Sequence, residues 1–135
     1  MKYAIDSNLL ISATFKLHTQ PALVLAAWRM RKIEWISCVE QTDEIGAALF
    51  RPSTLARSLG GLPLAQSLVR EMRLACSHKT LIYPLPKVCR DPNDDFLFAL
   101  LDQGHADAII SGDKDVLALK GRYPVLIPRE LIDRL

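Results

Sequence analysis

Arg90-Asp91-Pro92-Asn93-Asp94-Asp95-Phe96-Leu97-Phe98-Ala99-Leu100-Leu101 sets a cluster of carboxylates at the head of an apolar helix. Asp91 is placed to cap that helix, with Pro92 at its first position and Asp94 at its third, a capping-box arrangement. On a helical wheel with Asp94 at zero, Leu97, Phe98 and Leu101 fall within about 60° of it, and Asp95 falls about 100° round, beside Asp102. Asp94 therefore points with the core stripe, and Asp95 is expected on a wetter, solvent-facing side. The helix spans Asn93 to Gln103 and stops at Gly104. Ala108-Ile109-Ile110 follows as a strand buried on both faces, and a second acidic pair, Asp113 and Asp115, follows that strand. Acids beside core segments need something positive to meet them. The expectation is a divalent metal, with Asp6 and Glu44 converging on it too.

Outward from this stretch, the chain alternates strand and helix. Lys2 to Ile5 reads as a first strand, broken by Asp6-Ser7-Asn8, with a helix resuming at Leu9-Leu10-Ile11-Ser12-Ala13. Pro21 to Trp28 reads as a helix, and Ile33 to Ile36 as a second strand. A helix then begins at Ser37 or Cys38 and runs until Arg51-Pro52 stops it. Ser53 to Gly61 is a loop or short helix, and Leu64 to Cys76 a longer one. Thr80-Leu81-Ile82-Tyr83 reads as the third strand, before a loop from Pro84 to Pro92. After the fourth strand come a short helix from Val116 to Lys120, headed by Asp113, a fifth strand from Tyr123 to Ile127 and a closing helix from Pro128 to Leu135. Strands separated by helices predict an α/β fold, a parallel sheet with helices on both faces, in one domain over residues 1–135. In such sheets the functional crevice lies at the carboxyl ends of the strands. Asp6 and Asp113 both fall there.

Each acid also has a local use. Asp6 suits an Asx turn or a helix cap, and Asp113 a cap for the helix after it. Glu44 borders the apolar stripe of Ile45, Ala48 and Leu49, one turn before Ala48. Glu40 lies one turn earlier, and Asp43 falls away from the stripe. Several carboxylates at one cleft repel one another and raise one another's pKa. A hard divalent ion removes that cost, and oxygen donors suit Mg²⁺ or Mn²⁺ rather than zinc. Such an ion activates water and stabilises the charge of a phosphodiester displacement.

Composition narrows the alternatives. Half of the 135 residues are hydrophobic and the net charge is +2, so no strong basic signature announces nucleic acid. Arg29-Met30-Arg31-Lys32 and the arginines Arg51, Arg57, Arg70 and Arg73 do bunch, as solvated helix faces commonly do. Cys38, Cys76 and Cys89 are scattered and odd in number, and are read as reduced thiols in a cytoplasmic protein. The opening residues meet an acid at once, unlike a signal peptide, and the apolar runs are short of a membrane span. His18, His78 and His105 share no ligand spacing. No Ser-His-Asp set, Gly-rich phosphate loop or HExxH helix is present.

At these residues the sequence resembles the PIN-domain nucleases, most nearly the bacterial and archaeal branch of toxin components of toxin–antitoxin systems related to the VapC toxins. The pieces that carry the resemblance are Ala4 to Ala13, Ser37 with Glu44-Ile45 and Arg51-Pro52, Cys89 to Asp95, Ala106 to Asp115, and Val125 to Glu130. They run in family order over nearly the whole chain. The resemblance implies a three-layer α/β/α domain whose parallel five-stranded sheet has the order 3-2-1-4-5. It implies a metal-dependent endoribonuclease using Mg²⁺ or Mn²⁺. The acidic quartet would be Asp6, Glu44, Asp94 and Asp113, with Asp115 as an accessory ligand. Asn8 and Ser111 match supporting polar positions, with Asp95 beside them. RNA as substrate, a cognate antitoxin protein as partner and a homodimer are implied as well. Arg51 and Arg57 are candidates for guiding the RNA backbone.

The chain departs from the family pattern in two places. Glu40-Gln41-Thr42-Asp43 is unusually polar, so Glu40 or Asp43 competes with Glu44 as ligand. The helix after Asp95 is shifted in detail, so Asp95 competes with Asp94. Two rival functions share the pattern. A phosphoacceptor receiver domain would want an acidic pair after strand one, where this chain has a single acid. A PIN-like scaffold that binds RNA or protein without cutting would carry the same acids.

Overall fold

The computed structural model describes residues 1–135. Five strands, β1 (Lys2–Ile5), β2 (Glu34–Ser37), β3 (Ser77–His78), β4 (Ala108–Ile110) and β5 (Val125–Leu126), form one parallel sheet in the order 3-2-1-4-5. Eight helices connect them: α1 (Ser7–Ala13), α2 (Gln20–Arg29), α3 (Val39–Leu49), α4 (Pro52–Arg57), α5 (Gly61–Ala75), α6 (Asp95–Asp102), α7 (Lys114–Leu117) and α8 (Pro128–Ile132). The α/β expectation, the parallel pairing and the strand order all hold.

Strand side chains alternate between two cores, as a period of two requires. Tyr3, Ile5, Trp35, Ala108, Ile110 and Leu126 pack on one face with residues of α1, α2, α3, α5 and α8. Ala4, Ile36, Ile109 and Val125 pack on the other, with Phe96, Leu97, Phe98, Ala99 and Leu100 of α6 and Val116 of α7. Asp95 to Leu100 of α6 are all buried, which explains why the helix is apolar around most of its circumference. Trp28 and Trp35 meet edge to face, 5.1 Å between ring centroids, where α2 crosses β2.

The third strand is not at Thr80–Tyr83. Pairing with β2 occurs at Ser77–His78 and ends where the Lys79 N–H donates to the Ser37 carbonyl. Beyond it Ile82 and Tyr83 are exposed. The Ile82 backbone is instead satisfied by one side chain: its N–H donates to Gln103 Oε1 at 2.8 Å, and its carbonyl accepts from Gln103 Nε2 at 2.9 Å. An amide at the end of α6 thus takes the place of a neighbouring strand. Other boundaries shift modestly. Pro92–Asp94 is a 3₁₀ turn ahead of α6, β5 covers only Val125–Leu126, and the segment after Pro52 is helical. Gly104, just past α6, has φ +77°, the left-handed conformation its position as a helix stop requires.

In this order β1 is flanked by β2 on one side and β4 on the other, so successive crossovers leave β1 in opposite directions. The crevice of a doubly wound sheet opens at such a switch point, past the carboxyl ends of β1 and β4. Asp6 and Ser111 are the residues immediately after those two strands.

Candidate active site

Asp6 is 2% exposed, and donors fix both of its carboxylate oxygens. The Asn8 N–H donates to Oδ1 at 3.1 Å, the Asx cap of α1. The Ser111 hydroxyl donates to Oδ2 at 2.7 Å. The Asp6 N–H donates to the Ile110 carbonyl at 2.9 Å, continuing the sheet by one bond. Burial raises the Asp6 pKa, the Ser111 hydroxyl and Asn8 N–H pull it down, and the charge of Asp113 raises it again.

Asp113 reaches the same place from β4. Its N–H donates to Ser111 Oγ at 3.0 Å, and its Oδ1 accepts the Asp115 N–H at 2.8 Å as the cap of α7. Ser111, wholly buried, therefore accepts from the Asp113 backbone and donates to the Asp6 carboxylate, tying the two acids together. Asp6, Asn8, Leu9, Ser12, Gly112 and Asp113 line an open cleft of about 280 Å³. Capping by Asp6 and Asp113 coexists with their exposure to this cleft.

Asp94 sits where the 3₁₀ turn meets α6. It is 8% exposed, it makes no capping hydrogen bond, and none of the ion pairs in the structure involves it. The reciprocal half of the expected capping box is missing; Asp91 alone caps, accepting the Asn93 N–H at 3.0 Å. Burial, then the charges of Asp6, Asp91, Asp113 and Glu44, push the Asp94 carboxyl up to about 7. Glu44, half-buried on α3, joins from the β2 side. Burial raises its pKa, the Ser7 hydroxyl lowers it, Asp6 and Asp91 raise it, and Arg51 lowers it.

The competitors of Glu44 point elsewhere. Asp43 is exposed. Glu40 accepts the phenol hydrogen of Tyr83 and lines a separate groove with His78 and Lys79. Asp95 was expected in solvent and is not there: it is 6% exposed. The loop before α6 folds back over it, and its Oδ1 accepts the N–H groups of Val88 at 3.2 Å and Cys89 at 2.9 Å. Asp95 thus holds the loop that carries Asp91. Asp95→Ala is expected to cost about 1–3 kcal/mol by orphaning two N–H donors, measurable in a urea melt. A cost near zero would show that the loop is held by its other contacts.

Arg51 is exposed at the head of α4, close enough to act on Glu44. Arg57 is engaged away from the acids, its guanidinium 4.2 Å from the centroid of the Phe15 ring beyond the far end of α1. Asp115 is half-buried in the first turn of α7.

The sequence reading passed over Gln41. Its side chain is fully buried and bonded on both ends. Oε1 accepts from Ser37 Oγ at 2.7 Å and Trp35 Nε1 at 3.3 Å. Nε2 donates to the Ile5 carbonyl and, at 3.3 Å, to Ser7 Oγ. Thr42 is buried too, bonded to the Cys38 carbonyl and His78 Nε2. The middle of the polar run before Glu44, Gln41 and Thr42, is therefore interior. The one available signal was Gln41's position one turn before the core residue Ile45.

No group of three or more His, Cys, Asp or Glu side chains stands in a metal-holding arrangement. The chemistry of the donors nevertheless fits a hard divalent cation. Asp6 and Asp113 offer carboxylate oxygens to one cleft, the charges of Asp6, Asp113 and Glu44 raise the Asp94 carboxyl, and no lysine or arginine forms an ion pair with any of the four. A family model described as the PIN domain matches residues 2–115. No curated protein and no solved structure matches the chain. No helix is long and apolar enough to cross a membrane.

Proposed function

The chain belongs to the PIN-domain family, whose members are generally nucleases, and on that premise we propose that it is a divalent-metal-dependent endoribonuclease, the toxin of a toxin–antitoxin pair. The observation that carries this reading is the crevice past β1 and β4, where Ser111 ties Asp6 to Asp113 and both acids line one open cleft, while the buried Asp94 carboxyl, with no cation of the chain paired to it, is pushed up to about 7 by burial and by the charges of Asp6, Asp91, Asp113 and Glu44. A fold maintains such repulsion when a ligand relieves it.

Asp6, Asp94 and Asp113 would hold Mg²⁺ or Mn²⁺ directly, Glu44 directly or through water, and Asp115 as an accessory. When bound, the ion supplies Lewis acidity for phosphodiester hydrolysis, activating water and stabilising the charge that develops on the phosphate. The chain's own groups arrange the acids. Ser111 and the Asn8 N–H hold the Asp6 carboxylate in one orientation, and the Asp113 cap fixes the start of α7. Arg51, exposed beside Glu44, would meet the RNA backbone; Arg57 is a weaker candidate because Phe15 holds it. The toxin role, the antitoxin partner and the homodimer rest on the sequence resemblance to the VapC-related branch.

The test is cleavage of an end-labelled RNA. Cutting in Mn²⁺ or Mg²⁺, abolished by chelator and restored by excess metal, is expected. Cutting indifferent to chelator, or none in any divalent metal, would reject the proposal.

The same electrostatics predict a linkage between pH and metal. The folded Asp94 carboxyl titrates near 7, above its ordinary 3.8, so the metal-free folded protein binds the extra proton and loses stability as pH rises between those values. A divalent ion competes with that proton. The rise in melting temperature on adding Mn²⁺ should therefore be larger at about pH 8 than at about pH 5.5. An equal rise at both would detach the carboxylates from metal binding.

A further inference from the structure

We infer that Gln41 is a positioning residue for the acidic crevice, setting the separation of Asp6 and Glu44 through its carboxamide nitrogen. The inference rests on the functional reading above. Three segments meet at this amide. On one end it takes hydrogen bonds from Ser37 and Trp35 of β2. On the other it gives hydrogen bonds to the Ile5 carbonyl and the Ser7 hydroxyl, the groups on either side of Asp6.

The peptide leading into Asp6 is thereby clamped from both neighbouring strands. The Asp6 N–H is bound by Ile110 of β4, and the carbonyl before it by Gln41, which rides on the helix leaving β2. Ser7, the other recipient, is buried at the start of α1, next in the chain to Asp6. Gln41 and Glu44 are three apart on α3, neighbours on the helix surface. One side chain of the helix that carries Glu44 thus holds the carbonyl just before Asp6 and the hydroxyl just after it. A role confined to core stability would need the amide's bonds only in number. A positioning role needs the two bonds made by Nε2 and is indifferent to the Trp35 bond at Oε1.

That difference makes the test. Gln41→Met keeps the side chain's length and removes every bond. Ser7→Ala removes one Nε2 bond. Trp35→Phe removes one Oε1 bond and leaves Ser37 on the same oxygen. Mn²⁺ affinity is read by calorimetry, RNA cleavage by kcat and KM, and folding by circular dichroism melts. Gln41→Met and Ser7→Ala should weaken Mn²⁺ binding and lower kcat by about 10–100-fold, the scale of lost ligand support, with KM for RNA unchanged. Trp35→Phe should lower the melting temperature while Mn²⁺ affinity stays within about twofold of wild type, well inside that support scale. Wild-type Mn²⁺ affinity in a folded Gln41→Met protein would overturn the inference, and so would wild-type affinity in Ser7→Ala if Gln41→Met does not fold. Equal losses of affinity in all three variants would also overturn it, since they would track stability alone. A wild-type protein that neither binds Mn²⁺ nor cuts RNA would instead reject the functional reading on which it stands.

Discussion

Asp94→Asn is expected to lower kcat for RNA cleavage by at least about 10²-fold, the scale seen when one preorganised electrostatic contact is removed, while making the metal-free protein more heat-stable than wild type. The two effects share one cause. Asp94 is buried at the meeting of the 3₁₀ turn and α6, and burial together with Asp6, Asp91, Asp113 and Glu44 disfavours its charge. Asparagine has nearly the same shape and no charge. It removes the repulsion, and with it the loss of stability that rising pH imposes between about 4 and 7. The gain should therefore be absent near pH 4, where the carboxyl is already protonated, and fully developed at about pH 8. It also removes a carboxylate that a divalent ion would use, so the melting-temperature rise on adding Mn²⁺ should shrink. A residue kept for packing would give the opposite pattern, falling stability with activity falling in proportion. Cleavage assays beside melts in chelator and in Mn²⁺ distinguish the two. Asp94→Asn with wild-type kcat would remove Asp94 from the site.

Phe98→Ala is expected to give the largest loss of stability, about 3–5 kcal/mol, against the 5–15 kcal/mol that holds a typical domain folded. Phe98 is fully buried on α6, in the core between that helix and the sheet face of Ala4, Ile36, Ile109 and Val125. Its ring meets Tyr123 edge to face at 4.9 Å, a contact that adds to area burial. The neighbouring α6 residues are locked against the same sheet, so the cavity has little freedom to collapse. Urea unfolding, with an unchanged denaturant slope, is the measurement. Because α6 also carries Asp94 to the crevice, the variant should cut RNA poorly even at temperatures where it is folded. A loss under about 1 kcal/mol, far below the usual range for such a truncation, would mean that α6 packs less tightly than described.

The strand-end places of Asp6 and Asp113 were legible in the sequence because Asp6 follows β1 directly and Asp113 comes just past β4, after Ser111 and Gly112, and the turn chemistry after a strand is local. Asp94 is buried, as the wheel predicted, although it sits in the 3₁₀ turn ahead of α6 and not within the helix itself. Asp95 was not legible: its burial comes from Val88 and Cys89 folding back over the helix start, and no wheel contains that loop. Thr80–Tyr83 carries a strand-like pattern, but its backbone finds Gln103 instead of a neighbour in the sheet. Gln41 was passed over for a related reason. Its partners come from the end of β1, the start of α1 and β2, and a glutamine is read as surface until those partners are known. Arg57 looked free to meet RNA because nothing local announced Phe15 as its partner. Strand-end acids declare themselves locally, whereas the residues that fix them in place depend on contacts distant in sequence.

Asp6, Glu44, Asp94 and Asp113 are proposed to hold one divalent ion together. Crystals grown in Mn²⁺ and measured at the manganese absorption edge test it most directly. Anomalous density is expected in the crevice past β1 and β4, bounded by carboxylate oxygens of Asp6, Asp94 and Asp113. Saturating Mn²⁺ with no anomalous density in that crevice, or density held by other residues in a protein that cuts RNA, would contradict it.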